Sequence, residues 1–81
     1  MESNRYTAEI QFFGKRLKAI RKKAGLSQLD LELKCGIDRT EISRIENGLK
    51  NVEFTTIVKF VEALQVEISE LFTFPLDSAT D

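Results

Sequence analysis

Residues 26–48 read LSQLDLELKCGIDRTEISRIENG, a stretch that predicts two short helices separated by a tight turn. Ser27 followed by Asp30 is close to the capping-box pattern of a helix N-terminus, and Asp38 begins a second helix in a similar way. Each predicted helix has about eight residues. The turn of about three or four residues between them is centred on Gly36, which is the geometry of a helix-turn-helix.

The first of these two helices contains four apolar residues that alternate with polar ones, and a period of two is typical of a β-strand. They are Leu29, Leu31, Leu33 and Cys35. We nevertheless predict a helix, because leucine, glutamate and lysine favour helices and because both ends of the segment carry helix-terminating signals.

The flanking segments also have helical patterns. Apolar residues at steps of three and four predict a helix that starts near Thr7 and ends at Gly25, which can adopt the left-handed C-terminal conformation. A fourth helix is predicted from about Phe54 to Leu64, and a short fifth helix around Ile68 to Phe72.

The predicted fold is therefore all-α. Residues 1–81 form a single domain, because a chain this short cannot build two cores. We divide it into an N-terminal arm at 1–7, a five-helix domain at 8–72 and a C-terminal tail at 73–81. The expected core residues are Leu17, Ile20, Leu31, Ile37, Ile42, Ile45, Ile57, Val61 and Leu64.

The composition excludes several classes of function. The chain has one cysteine and no histidine, so neither an intramolecular disulfide nor a Cys/His zinc site is expected, and the commonest general base is missing. The apolar runs are too short for a membrane span or a signal peptide. We expect a cytoplasmic protein that is not an enzyme and has no cofactor, metal or evident small-molecule ligand. Cys35 is interpreted as a small buried apolar residue.

The charge is unevenly distributed. Residues 1–50 carry 11 Lys and Arg against 7 Asp and Glu, net +4, whereas residues 51–81 carry 1 against 6, net -5. Six of the cations lie within positions 15–23. The overall net charge of -1 therefore conceals a basic half that suits nucleic acid, although a solvated helix face also explains the cluster.

The segment 26–48 resembles the Cro and phage-repressor type of helix-turn-helix, also called the xenobiotic-response-element family of bacterial regulators. GKRLKAIRKKAGLSQ upstream and VKFVEALQVEISELF downstream resemble its other helices, so the resemblance covers about residues 13–72. The short length and the DRT entry to the third helix are also similar to controller proteins of restriction-modification systems. The resemblance implies a DNA-binding transcriptional regulator with a repressor-like fold.

The third helix is predicted to read bases in the major groove, which admits one α-helix. Its outward residues, opposite the apolar Ile42 and Ile45, carry the hydrogen-bond donors that base edges require. These predicted base-reading residues are Arg39, Thr40, Ser43 and Arg44. The family's base-reading positions, carried onto this sequence, fall on Arg39, Thr40 and Arg44.

Contacts to DNA phosphates are predicted at the start of the second helix and after the third. Ser27 and Gln28 lie at the N-terminus of the second helix, where free N–H groups favour an anion, although capping alone also explains Ser27. Asn47, Lys50 and Asn51 follow the reading helix, where they are either phosphate contacts or solvated turn residues.

Several further positions are interpreted through the resemblance. Arg21 and Glu46 match a family ion pair that ties the first helix to the third, and Arg21 is predicted to retain donors for a phosphate. Glu32 replaces a small residue, which predicts looser packing against the reading helix. Leu29 and Leu33 replace polar residues, so either the helix is rolled or they form an extra contact surface. Gln65 replaces a common glycine after the fourth helix.

The working unit is predicted to be a homodimer on double-stranded DNA with a palindromic operator, because one reading helix contacts too few base pairs to locate a site. The interface is assigned to the fifth helix and its flanks: Val66, Ile68, Leu71, Phe72 and Phe74. The alternative function is an antitoxin or other protein-interaction module that uses the same fold, with the exposed leucines as partner contacts.

Overall fold

The computed structural model describes residues 3–73, which form four α-helices and one short 3₁₀ helix. Their bounds are α1 Ser3–Lys23, α2 Gln28–Cys35, α3 Arg39–Glu46, α4 Phe54–Leu64 and the 3₁₀ helix Ile68–Phe72. No strand occurs between residues 3 and 73, so the predicted all-α fold is confirmed. The fifth helix is predicted at the right place but is a 3₁₀ helix, a form that proteins use in short pieces near helix ends and in connections.

α1 begins four residues before the predicted start near Thr7, so the predicted arm at 1–7 is wrong from Ser3 onward. An exposed ion pair joins Arg5 Nε to Glu9 Oε2 at 3.7 Å, one helical turn later, and supports the extra turn. The predicted end is confirmed: Gly25 is left-handed, and the N–H of Leu26 donates to the carbonyl of Arg21 at 3.1 Å. Of the predicted tail at 73–81, only Thr73 lies among the described residues.

α2 is a helix despite its alternating sequence. Ser27 and Asp30 form the capping box, in which each side chain accepts the other residue's backbone N–H at 2.9 Å. The alternation has a simple origin, because residues two apart lie on nearly opposite sides of a helix. Leu31 is therefore buried in the core, whereas Leu29 and Leu33 are exposed on the other side.

One core joins all of the elements. The predicted core residues are buried except Val61, which is partly buried and packs against the others. Three residues outside the prediction, Phe13, Phe60 and Leu71, also belong to the core. α1 packs against α3 and the 3₁₀ helix, and α2 packs against α3 and α4. This arrangement leaves one side of α3 free for the solvent.

Gly14 allows α1 to lie directly on the C-terminal end of α3. A Cβ atom at this position would overlap the backbone carbonyl oxygen of Ile45 and would lie 2.8 Å from that of Glu46. A glycine inside a helix makes the helix less stable than an alanine does, by about 1 kcal/mol. The close contact with α3, and not helix stability, therefore explains why residue 14 is a glycine. α1 consequently sets the position of the C-terminal end of α3.

Gln65 is the C-terminal cap of α4 and has a left-handed backbone with φ of 57°. Glycine adopts this conformation most readily, and the N–H of Gln65 donates to the carbonyl of Val61. A side chain in this region costs about 1 to 2 kcal/mol. Gln65 therefore ends α4 in the left-handed conformation in spite of its side chain.

Candidate nucleic-acid interface

The turn between α2 and α3 is fixed by three interactions. Gly36 adopts φ of 78° and donates its N–H to the carbonyl of Glu32 at 2.8 Å, which ends α2. Ile37 is buried in the core and anchors the turn. Asp38 then caps α3, because its carboxylate accepts the N–H of Thr40 at 3.0 Å. The angle between the two helices is thus set by two hydrogen bonds from backbone N–H groups and by the burial of one apolar side chain.

Glu32 makes a contact that the sequence did not predict. Its Oε1 accepts the backbone N–H of Arg39 at 3.1 Å, so a carboxylate of α2 lies at the N-terminus of α3. A negative charge at this position also complements the helix dipole. The structure therefore adds a hydrogen bond between α2 and α3 at the position where the sequence predicted looser packing.

The predicted base-reading residues share the solvent side of α3. Arg39, Thr40 and Arg44 are exposed and Ser43 is partly buried, whereas Ile42 and Ile45 on the opposite side are fully enclosed by the core. Neither arginine side chain forms an ion pair with a described residue. Two unpaired guanidinium groups and a threonine methyl on one helix face present the groups that recognise guanine and thymine in the major groove.

A buried network holds the C-terminal end of α3 against α1 and α2. Arg21 Nε donates to Glu46 Oε2 at 2.7 Å and its Nη2 donates to Oε1 at 3.0 Å, while its Nη1 donates to the carbonyl of Leu26 at 2.7 Å. Gln28 Nε2 also donates to Glu46 Oε1 at 3.0 Å. One carboxylate thereby joins three helices.

This network changes two of the predicted phosphate contacts. Arg21 is only 6% exposed and three of its N–H groups are used, so its assignment to a phosphate is corrected to a structural role. Gln28 is partly buried and its amide nitrogen is bonded to Glu46. Ser27 caps α2 through its hydroxyl and remains exposed.

The segment after α3 carries the other predicted phosphate contacts. Asn47, Lys50 and Asn51 are all exposed. Asn47 Nδ2 donates to Ser43 Oγ at 3.5 Å, one turn back on the reading face. Asn47 therefore extends the polar surface of α3 toward α1.

The predicted dimer residues divide into two groups. Leu71 has no exposed surface and belongs to the core of the monomer, so its assignment to the interface is wrong. The 3₁₀ helix turns Leu71 inward and leaves Ile68 and Phe72 37% and 47% exposed. Val66 is partly buried. Phe74 lies outside the described residues.

The 3₁₀ helix is attached to α1 by contacts that the sequence did not reveal. Arg16 Nε donates to the carbonyl of Glu70 at 2.6 Å, and the rings of Phe13 and Phe72 lie 5.5 Å apart. Arg16 is one of six cations between positions 15 and 23, so the sequence did not distinguish it from its neighbours. These contacts fix the orientation of Phe72 on the surface.

Other chemistry is limited within the described residues. Between residues 3 and 73, no cluster of His, Cys, Asp and Glu has the geometry of a metal site, and no helix is long and apolar enough to cross a membrane. Burial raises the pKa of the Cys35 thiol, and Ile37 donates its N–H to the sulfur at 3.4 Å. Cys35 was predicted to be a small buried apolar residue, and it is partly buried and packs against the core.

Comparison with known proteins identifies the family. Residues 17–71 match the HTH_3 helix-turn-helix family. The chain is 42% identical over 62 residues to the control protein C.MunI of Mycoplasma sp, an alignment that covers 75% of this chain and 84% of that protein. The predicted resemblance, including its similarity to restriction-modification controllers, is thereby confirmed.

Solved structures agree with this assignment. The restriction-modification controller protein C.AhdI from Aeromonas hydrophila superimposes with a TM-score of 0.78 at 40% identity, over 80% of this chain and 98% of that one. The controller protein C.Esp1396I, solved as a tetramer in complex with its natural 35 base-pair operator, gives a TM-score of 0.68 at 28% identity, over 79% and 95% of the two chains. The chain therefore belongs to the HTH_3 helix-turn-helix family and is a DNA-binding transcriptional regulator.

Proposed function

We propose that this protein is a controller of a restriction-modification system that binds a palindromic operator as a homodimer and reads each half-site with α3. The observation that carries the proposal is the reading face itself. Arg39, Thr40 and Arg44 are exposed on a helix whose two ends are fixed by Glu32 and by the Arg21–Glu46 ion pair. A rigid helix that presents unpaired donors is suited to sequence-specific recognition.

The assignment to restriction-modification control rests on the relatives. C.MunI is a control protein, and C.AhdI and C.Esp1396I are restriction-modification controllers. C.Esp1396I binds an operator as a tetramer. We propose operator binding for this chain as well, because α3 presents its exposed polar side chains and both of its ends are held by contacts with α1 and α2. The function is one of binding and not of catalysis, and it is exercised in the cytoplasm, where bacterial DNA lies.

The dimer is proposed to form through the exposed side of the 3₁₀ helix. Ile68 and Phe72 are the exposed apolar residues of this element, and Val66 precedes them. Phe74 stays a predicted interface residue. A two-fold axis at this surface would place the two copies of α3 on successive major grooves, about 34 Å apart. The acidic residues of the C-terminal half would then lie away from the phosphates.

A protein-interaction module such as an antitoxin is the second candidate. It is favoured by one observation, the exposure of Leu29 and Leu33 on α2, of which Leu33 is 76% exposed. These two leucines are separate from the reading face of α3. Partner binding through them would therefore leave the DNA-binding residues without a role.

Binding to a random-sequence DNA duplex at increasing salt distinguishes the two candidates. A regulator that neutralises several phosphates must lose affinity in a log-linear manner, with a slope of about 0.9 per phosphate contacted. Fluorescence anisotropy with the full chain gives this slope. Absence of duplex binding at low salt would contradict the proposed function and would favour the interaction module.

A further inference from the structure

A second cationic surface lies outside the helix-turn-helix. On α1, Gln11, Lys15, Lys18 and Lys22 recur at steps of four, three and four, so they share one face of the helix. The three lysines are exposed, and none of their side chains forms an ion pair or hydrogen bond with a described residue. These cations contribute to no described contact of the fold.

This lysine face borders the end of the reading helix. Gly14, which lies beside it on α1, contacts the last carbonyls of α3. A cleft of about 360 Å³ opens between the two helices, and its lining residues are Gln11, Lys15, Lys18, Glu46 and Asn47. Asn47, which is hydrogen-bonded to Ser43 of α3, lies at one side of the cleft, and Lys15 and Lys18 of α1 lie at the other.

The charge of the cleft is positive in spite of Glu46. The carboxylate of Glu46 is buried, and Arg21 and Gln28 donate to both of its oxygens. Its charge is thus balanced inside the protein, whereas Lys15 and Lys18 face the solvent without a counter-charge. The two ammonium groups of Lys15 and Lys18, with the Asn47 side-chain amide beside them, can donate hydrogen bonds to a phosphate oxygen.

We propose that this cleft, with Lys15 and Lys18, binds the DNA backbone next to the bases read by α3. The inference rests on the proposed function and deepens it, because it adds phosphate contacts from α1 to those of the helix-turn-helix. A strand whose bases lie against Ser43 and Arg44 continues past Asn47 and reaches the cleft. Lys15 and Lys18 supply affinity and orientation in this arrangement, and they do not read sequence.

The test compares the double variant Lys15→Ala/Lys18→Ala with Lys34→Ala/Lys59→Ala on a random-sequence duplex. Both variants remove two exposed lysines, so the net charge of the chain changes equally. Lys34 on α2 and Lys59 on α4 do not line the cleft. The cleft variant is expected to lower the salt slope by about 1.8, for two lost phosphate contacts, and the control variant by much less. Lys15→Arg/Lys18→Arg is expected to retain the wild-type slope.

Equal slopes for the cleft variant and the wild type would overturn the inference, as would an equal loss in the control variant. Both results leave the proposed function intact, because the wild type still binds. Failure of the wild type to bind any duplex would instead overturn the proposed function and this inference with it. The lysine side chains form no hydrogen bond or ion pair with a described residue, and equal thermal unfolding midpoints of the wild type and the three variants would verify that the variants are folded.

Discussion

Gly14 of α1 packs against the backbone of Ile45 in α3 so closely that a methyl group at residue 14 would overlap the Ile45 carbonyl oxygen. We therefore predict that Gly14→Ala destabilises the protein by about 1 to 3 kcal/mol, although alanine is the better helix former. Urea denaturation measures the change. Ala19→Gly is the matched control, because Ala19 is exposed on the same helix and should lose only about 1 kcal/mol. A more stable Gly14→Ala protein would show that α1 is not held by this contact.

The Arg21–Glu46 pair is expected to position α3 more than it stabilises the fold. Glu46→Ala leaves the arginine charge buried without its partner and should cost about 3 to 5 kcal/mol. Replacing both residues, in Arg21→Met/Glu46→Leu, should recover most of that loss, because apolar side chains need no partner. Denaturation and duplex binding are measured for both variants. The double variant should still bind DNA more weakly than the wild type, and a double variant as unstable as the single one would refute this role.

Two adjacent residues of the 3₁₀ helix are predicted to have different effects. Leu71→Ala should destabilise the monomer by about 2 to 5 kcal/mol, since Leu71 is fully buried. Phe72→Asp should weaken dimerisation while leaving most of the fold intact, since Phe72 is 47% exposed. Sedimentation equilibrium and circular dichroism separate the two effects. A Phe72→Asp protein with unchanged self-association would exclude this surface from the dimer.

The Asp30 carboxylate in the capping box of α2 makes the free energy of unfolding depend on pH in the acidic range. The pKa of Asp30 is lowered, first by the backbone N–H of Ser27 that its carboxylate accepts and then by the Ser27 side chain. A lowered folded-state pKa gives stability above the unfolded-state pKa, near 3.9, that is lost as the pH falls through the folded-state value. Asp30→Asn should therefore lose less stability on acidification than the wild type.

Thermal unfolding from neutral pH down to about pH 2 provides this comparison. Glu62→Gln serves as the control, because Glu62 is an exposed residue of α4 whose carboxylate forms no hydrogen bond or ion pair with a described residue. The control should follow the wild-type curve. Parallel curves for Asp30→Asn and the wild type would mean that the Asp30 carboxylate contributes nothing to the acid response.

The sequence predicted the features that depend on local rules. Ser27, Asp38 and Gly25 mark helix ends through their own backbone neighbours, so the bounds of α2 and α3 follow directly from the residues. The start of α1 was predicted too late, because the apolar pattern begins only at Ile10 and Thr7 before it is a favoured N-cap residue, whereas the helix continues back to Ser3. Local signals thus predict the bounds of the helix-turn-helix but not the first residue of α1.

Contacts between distant residues were harder to predict. The bond from Arg39 to Glu32 and the bond from Gln28 to Glu46 depend on helix orientations that no single segment encodes. Leu71 and Phe72 are both large and apolar, and only the packing of the 3₁₀ helix on α1 decides which of them is buried. Gly14 carried a usable signal, since a glycine inside a long helix indicates a close approach.

Selection of operator sequences from a random DNA pool, with the wild type and with Arg39→Ala, tests the central claim that α3 reads the bases. The account predicts that the wild type recovers a palindrome. Arg39→Ala should bind its sites about 1 to 3 kcal/mol more weakly and should lose the preference at one position in each half-site. Recovery of the same palindrome with the same base preferences by both proteins would contradict the assignment of Arg39 and the first turn of α3 to base recognition.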